Sequence, residues 1–138
     1  MIKSILSAAL LAGAFAGAAW AQEDAGRAEY MVACAGCHGE SGKGDGPLAG
    51  VLDMHTPDLT HLARDKGDGT FPFEYVLWMI DGREIIRAHG SEMPLWGDRY
   101  TVSAMAAEES SELPEARELF VRGRILSLVY YLESIQAQ

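Results

Sequence analysis

Two thiols and an imidazole lie within five residues at Cys34-Ala35-Gly36-Cys37-His38. Four chemistries use such a set. Each thiol can add across one vinyl group of a haem while the adjacent imidazole reaches the iron from the same side. With a fourth ligand from His55, His61 or His89, the same groups would hold zinc. A thiol–disulfide redox pair would have this spacing but expects strands and helices in alternation around it. A disulfide across two intervening residues closes so small a loop that it stabilises little. The sequence has only these two cysteines and no alternating strand pattern, so attachment of one haem c through Cys34 and Cys37, with His38 on the iron, fits best.

A haem iron held on one side by His38 has a further position, open to a methionine, a histidine, a lysine or a small molecule. Past residue 21 the methionines are Met31, Met54, Met79, Met93 and Met105. Met31 is too near the attachment motif to cross to the opposite face. Met79 sits among Val76, Leu77 and Ile80 as a core residue would, and Met105 lies in an Ala-rich segment. Met54 follows a glycine loop, and His89 is the imidazole alternative. Met93 is the favoured ligand: Pro94 keeps it out of a helix, Leu95 and Trp96 can shield its sulfur, and 55 residues separate it from His38. Methionine sulfur would favour ferrous iron, and a filled sixth position leaves no place for dioxygen or peroxide. The second ring nitrogen of His38 needs an acceptor to orient it. Pro47, on the loop after the motif, is expected to offer its carbonyl. Trp96 is expected to pack on the haem, and Trp78, Tyr100, Arg83, Arg87 and Arg99 are candidates for its propionates.

Helices must position these groups. Residues 24–36 read as one helix, with Asp24 as cap and an apolar stripe of Ala25, Ala28, Met31, Val32 and Ala35. Gly26 and Tyr30 share a face on which a neighbour could pack. Six glycines or prolines between Gly39 and Gly50 make an irregular loop. A second helix is expected with Thr56 as cap and Pro57 as its first residue, running to about Asp65. A third runs from Pro72 to a cap at Gly82, and a short helical piece is expected over 83–88. Residues 89–99 read as a loop, and Ala104 to Glu109 as helical. The last helix opens at Pro114 and ends near Ile135, with Leu119, Phe120, Leu126, Val129, Tyr130, Leu132 and Ile135 in a broad apolar stripe. The fold class is all-α, with four to five helices.

At the start of the chain, Lys3, the apolar run from Ile5 to Ala19 and the sequence Ala19-Trp20-Ala21 have the layout of a secretory signal peptide over residues 1–21. Residues 22–138 would then be one domain, with no membrane span after cleavage. That domain has 10 basic against 20 acidic side chains. Phosphate would repel it, which argues against nucleic acid, while a basic protein surface would attract it.

The motif at 34–38, Gly46-Pro47, Met93-Pro94 and the Leu128-Val129-Tyr130-Tyr131-Leu132 run of the last helix together resemble class I cytochrome c, closest to bacterial periplasmic members with a single haem. The resemblance covers residues 24–136. It implies a periplasmic one-electron carrier with His38 and Met93 as axial ligands, a redox donor and acceptor as partners, and no enzymatic activity of its own. The alternative is a haem c subunit of a periplasmic dehydrogenase or oxidase complex. The resemblance also implies that the first and last helices cross, Gly26 and Tyr30 meeting Tyr131 or, failing that, Tyr130. The 97–113 connection, with Glu108, Glu109 and Glu112, is longer than the family leads one to expect.

Overall fold

The structure, a computed structural model, describes residues 24–51, 55–83, 93–106 and 113–137. The candidate signal peptide, Met54, Arg87, His89 and the acidic cluster at 108–112 lie outside them. The described residues contain no strand, in keeping with the all-α expectation. They form α1 (24–33), α2 (Ala35–His38), a 3-10 turn (Leu59–His61), α3 (Leu62–Lys66), α4 (Phe73–Asp81), α5 (Trp96–Ala106) and α6 (Pro114–Ser134). The helix count exceeds the expected four to five partly because the first helix breaks at Cys34. None of these helices is long and apolar enough to cross a membrane.

α6 is the spine of the core. Val121, Ile125, Leu128, Val129 and Leu132 recur at helical spacing and are all buried, each stabilising the fold by roughly 2 kcal/mol. Of the stripe expected from sequence, Val129 and Leu132 are buried, while Leu119, Phe120 and Tyr130 are exposed. Apolar residues occur on several sides of this helix, and the faces that α4 and α5 cover decide which are buried. α4 contributes Val76 and Ile80, one turn apart, and ends as expected at Gly82, whose left-handed φ of 68° closes the helix through an N–H bond to the Trp78 carbonyl at 2.9 Å. Arg83, just beyond, pairs with Asp81 and with Glu118 of α6 (2.7 Å), and Glu118 also accepts from Arg122 (2.6 Å).

α1 crosses α6 at Gly26. A β-carbon placed there would lie 2.1 Å from the Ser127 carbonyl oxygen and 2.8 Å from Tyr131 Cβ. Hydrogen is therefore the only side chain this backbone approach admits. One turn on, Tyr30 is fully buried, and its ring meets that of Tyr131 at 5.2 Å between centroids. Tyr130 instead packs its edge on Phe73. Arg124 clamps the same crossing, donating to both oxygens of Glu29 at 2.7 and 2.8 Å while stacking 4.1 Å over the Tyr100 ring of α5. The buried face is thus Gly26–Tyr30–Cys34; of the expected stripe, Ala35 is buried and Met31 packs on the core, whereas Ala25 and Ala28 are exposed and Val32 is 87% exposed.

Candidate haem site

α1 delivers Cys34 to the core, where it is 8% exposed, and its N–H still bonds to the Tyr30 carbonyl at 2.8 Å. α2 is one turn long and carries Cys37 and His38, the His38 N–H returning to the Cys34 carbonyl at 2.9 Å. Both thiols and the imidazole therefore sit on a single helical turn. A helix ends with carbonyls lacking intrahelical partners, and here the glycine loop supplies them. Leu48, Gly46 and Gly44 donate their N–H groups to the carbonyls of Gly36, Cys37 and His38 at 2.9, 3.1 and 2.8 Å. The Tyr30 hydroxyl fixes the start of the loop by donating to the Gly39 carbonyl at 2.6 Å. The loop following the motif is ordered by these backbone hydrogen bonds.

The folded loop then meets the 55–59 segment. Gly44 has a φ of 78°, and a β-carbon there would lie 2.4 Å from the Thr56 carbonyl oxygen. Leu59 N–H donates to the Gly42 carbonyl at 2.7 Å. This packing carries the Pro57 carbonyl to His38, 3.1 Å from Nδ1. The acceptor expected from sequence, Pro47, is an exposed residue of the loop, and the structure corrects that assignment to Pro57. Pro47 is nearer in sequence. The hairpin-like return of 39–51 carries it past the imidazole and leaves the later proline alongside. The same packing alters the second helix: Pro57 is not helical, and Asp58 is the cap residue, its Oδ1 accepting from Thr60 N–H at 2.8 Å.

A carbonyl can only accept, so Nδ1 carries the proton and the lone pair is on Nε2, which has no partner among the described residues. His38 is 8% exposed, and burial pushes its pKa below the ordinary histidine value despite the opposing pull of the Pro57 carbonyl. The imidazole is therefore neutral and able to donate to a metal. Cys34 behaves differently from a redox thiol: burial, then the charges of Cys37 and Glu29, push it up to about 12, whereas an attacking thiol needs a low pKa. Cys34 and Cys37 are not joined to each other. Nor do three His, Cys, Asp or Glu side chains converge among the described residues as a zinc site would need. Met93 is half-buried and packs on the core cluster that contains Cys34, as do Leu59, Phe71, Leu77 and Trp96. Trp96 opens α5 with Tyr100 at 5.9 Å on one side and the Arg99 guanidinium at 5.2 Å. Of the propionate candidates, Arg83 is already committed to Asp81 and Glu118.

The model of the cytochrome c family matches residues 23–95, more than half of the chain. The chain belongs to the cytochrome c family. As a cytochrome c it carries covalently attached haem, and its activity is haem-based electron transfer. Neither the curated proteins nor the solved structures gave a match. The stretch matched to the cytochrome c family includes Cys34, Cys37, His38, Pro57 and Met93, and stops short of α5 and α6. The residues present fit the prosthetic group: two unpaired thiols on one turn and a neutral imidazole with Nε2 uncommitted. The sequence could have pointed to Pro57 through Asp58-Leu59-Thr60, whose capping pattern marks Asp58 as the cap and so leaves Pro57 outside the helix.

Proposed function

We propose that the chain is a one-electron carrier in which Cys34 and Cys37 form the thioethers and His38 and Met93 are the axial iron ligands. The observation that carries this reading is the His38 geometry: Nδ1–H held by the Pro57 carbonyl at 3.1 Å, with Nε2 left for iron. When bound, the haem supplies a one-electron ferric–ferrous couple. The chain's part is to orient the imidazole, keep it neutral by burial and raise its basicity through the Pro57 carbonyl. The packing of Met93 against the core cluster, on the short bend before α5, supports it as the second ligand. Trp96, half-buried beside it, is assigned to packing on the haem. The signal-like layout of residues 1–21 supports export to the periplasm, and the acidic balance of the rest favours partners with basic docking surfaces.

The spectrum of the reduced holoprotein, with and without carbon monoxide, tests the ligand set. The wild type should bind CO poorly at neutral pH and show the near-infrared sulfur-to-iron band when oxidised. Met93→Ala should bind CO rapidly, lose that band and have a lower potential. Rapid, complete CO binding by the wild type would rule out Met93 as ligand. Mass spectrometry of the exported protein should find an N-terminus at Gln22, and a dehydrogenase that co-purifies stably would replace the free carrier with a complex subunit.

A further inference from the structure

The Pro57 carbonyl is held from a distance. Two residues beyond it, the Leu59 carbonyl accepts from Gln136 Nε2 at 2.8 Å, and the same Nε2 donates to the Leu132 carbonyl at 2.7 Å. Gln136 Oε1 accepts from Ala63 N–H at 3.0 Å, satisfying a donor at the start of α3 that the helix itself leaves free. The next residue adds a backbone bond, Ala137 N–H to the Thr60 carbonyl at 2.7 Å. One amide side chain thus uses both its donors and its acceptor to tie the end of α6 to residues 59–63. On the other side of that segment, Leu59 N–H is bonded to Gly42, and Ile135 Cδ1 and Thr60 Cγ2 crowd the position a Gly42 β-carbon would take. The 59–63 segment is therefore held between the glycine loop and the residues after α6, two residues beyond the Pro57 carbonyl.

We infer that Gln136 is a positioning residue for the iron ligand: it fixes the 59–63 segment so that the Pro57 carbonyl keeps its hydrogen bond to His38 Nδ1–H. Gln136 lies outside the family-matched stretch, just past the end of α6. Loosening the clamp weakens the bond, lowers the basicity of the imidazole and shifts the couple toward ferrous iron. This inference rests on His38 being an iron ligand.

The test uses the holoprotein with Gln136→Met, which keeps the length and removes all three bonds, and Gln136→Glu, which keeps an acceptor for Ala63 N–H but has no donor for Leu59. Ser134→Ala is the control, because Ser134 Oγ bonds only to the Tyr131 carbonyl at the same helix end. Proton NMR of the ferric form reads solvent exchange of the His38 ring N–H, and spectroscopy at a fixed ambient potential reads the ferrous-to-ferric ratio. Loss of one hydrogen bond's worth of restraint should speed exchange and raise the ratio by about three- to tenfold in both Gln136 variants and in neither case for Ser134→Ala. A shifted His38 ring N–H in the wild type with unchanged exchange and ratio in Gln136→Met overturns the clamp alone. Absence of any hyperfine-shifted His38 proton in the wild type overturns the ligand assignment beneath it. If Gln136→Met yields no holoprotein, native-state exchange of the wild type decides: Ala63 N–H and His38 Nδ1–H should open together, and a more than tenfold faster Ala63 refutes the clamp.

Discussion

Alanine at Gly26 should destabilise this protein, although alanine is the better helix former. Two terms oppose each other. The helix interior gains about 1 kcal/mol when glycine becomes alanine. Against that, the new methyl would sit 2.1 Å from the Ser127 carbonyl oxygen and 2.8 Å from the Ser127 carbonyl carbon. Both are backbone atoms of α6, so no rotamer change relieves the contact and the helices must separate by roughly 1 Å to restore ordinary contact distances. Overpacking of this kind costs roughly 3 kcal/mol. Separation also loosens the Tyr30–Tyr131 ring pair, worth about 1 kcal/mol. The net expectation is a loss of about 3 kcal/mol. The informative partner is Gly123→Ala on α6, where nothing lies within 4 Å of the added carbon, so the propensity gain of about 1 kcal/mol should appear undiminished. Guanidinium unfolding of the two holoproteins, followed by circular dichroism, measures both. A Gly26→Ala protein as stable as the wild type would refute the close crossing of α1 and α6.

Gly44→Ala combines a left-handed φ of 78° with a contact on the Thr56 carbonyl, and should cost about 2 kcal/mol; the His38 ring N–H should exchange faster, and unchanged exchange would uncouple the loop from the imidazole. Arg124→Lys should lose the two-point grip on Glu29 and the flat stacking over Tyr100, for a destabilisation of about 1 kcal/mol, with a double-mutant cycle against Glu29→Gln giving a coupling of similar size. The carboxyl of Glu118 is held below the ordinary range by Arg83 and then Arg122, and that of Asp58 by its bonds to Thr60. Their folded pKa values are depressed, so their contribution is complete above the unfolded value of about 4 and is lost as pH falls through the lowered ones. Urea titrations at neutral and acidic pH should show this, and Glu118→Gln should flatten the acid limb.

The chemistry of the attachment turn was legible because it depends on residue types at fixed short spacing. Gly26, Tyr30 and Tyr131 could also be placed together, but only through the resemblance to cytochrome c; helical spacing alone offered a face at Gly26 and Tyr30 without naming its partner. What failed to show were contacts decided by how the chain returns on itself. Pro47 and Pro57 have the same chemistry, a carbonyl and no N–H, and only the fold of the glycine loop chooses between them. Trp96 to Arg99 read as loop because Pro94 precedes them, yet Pro94 only restricts the residue before it, and α5 begins two residues later. Helical spacing does not single out Val121 and Ile125, because α6 is apolar on more than one side. Gln136 carries no motif at all; an amide becomes a clamp only when the carbonyls of Leu59 and Leu132 are brought to the same place.

The crossing at Gly26 also dictates an order of events during biogenesis. Its two halves are separated by roughly a hundred residues, so it is a late contact, closed only after a long loop has been brought together. Cys34 follows Gly26 and Tyr30 on the same face of the chain, and in the closed fold it is buried. With Cys34 as a proposed thioether residue, the burial of its thiol predicts that attachment precedes the docking of α6. A variant that docks α6 faster would have less time to mature, and its yield of holoprotein would fall even as its stability rose.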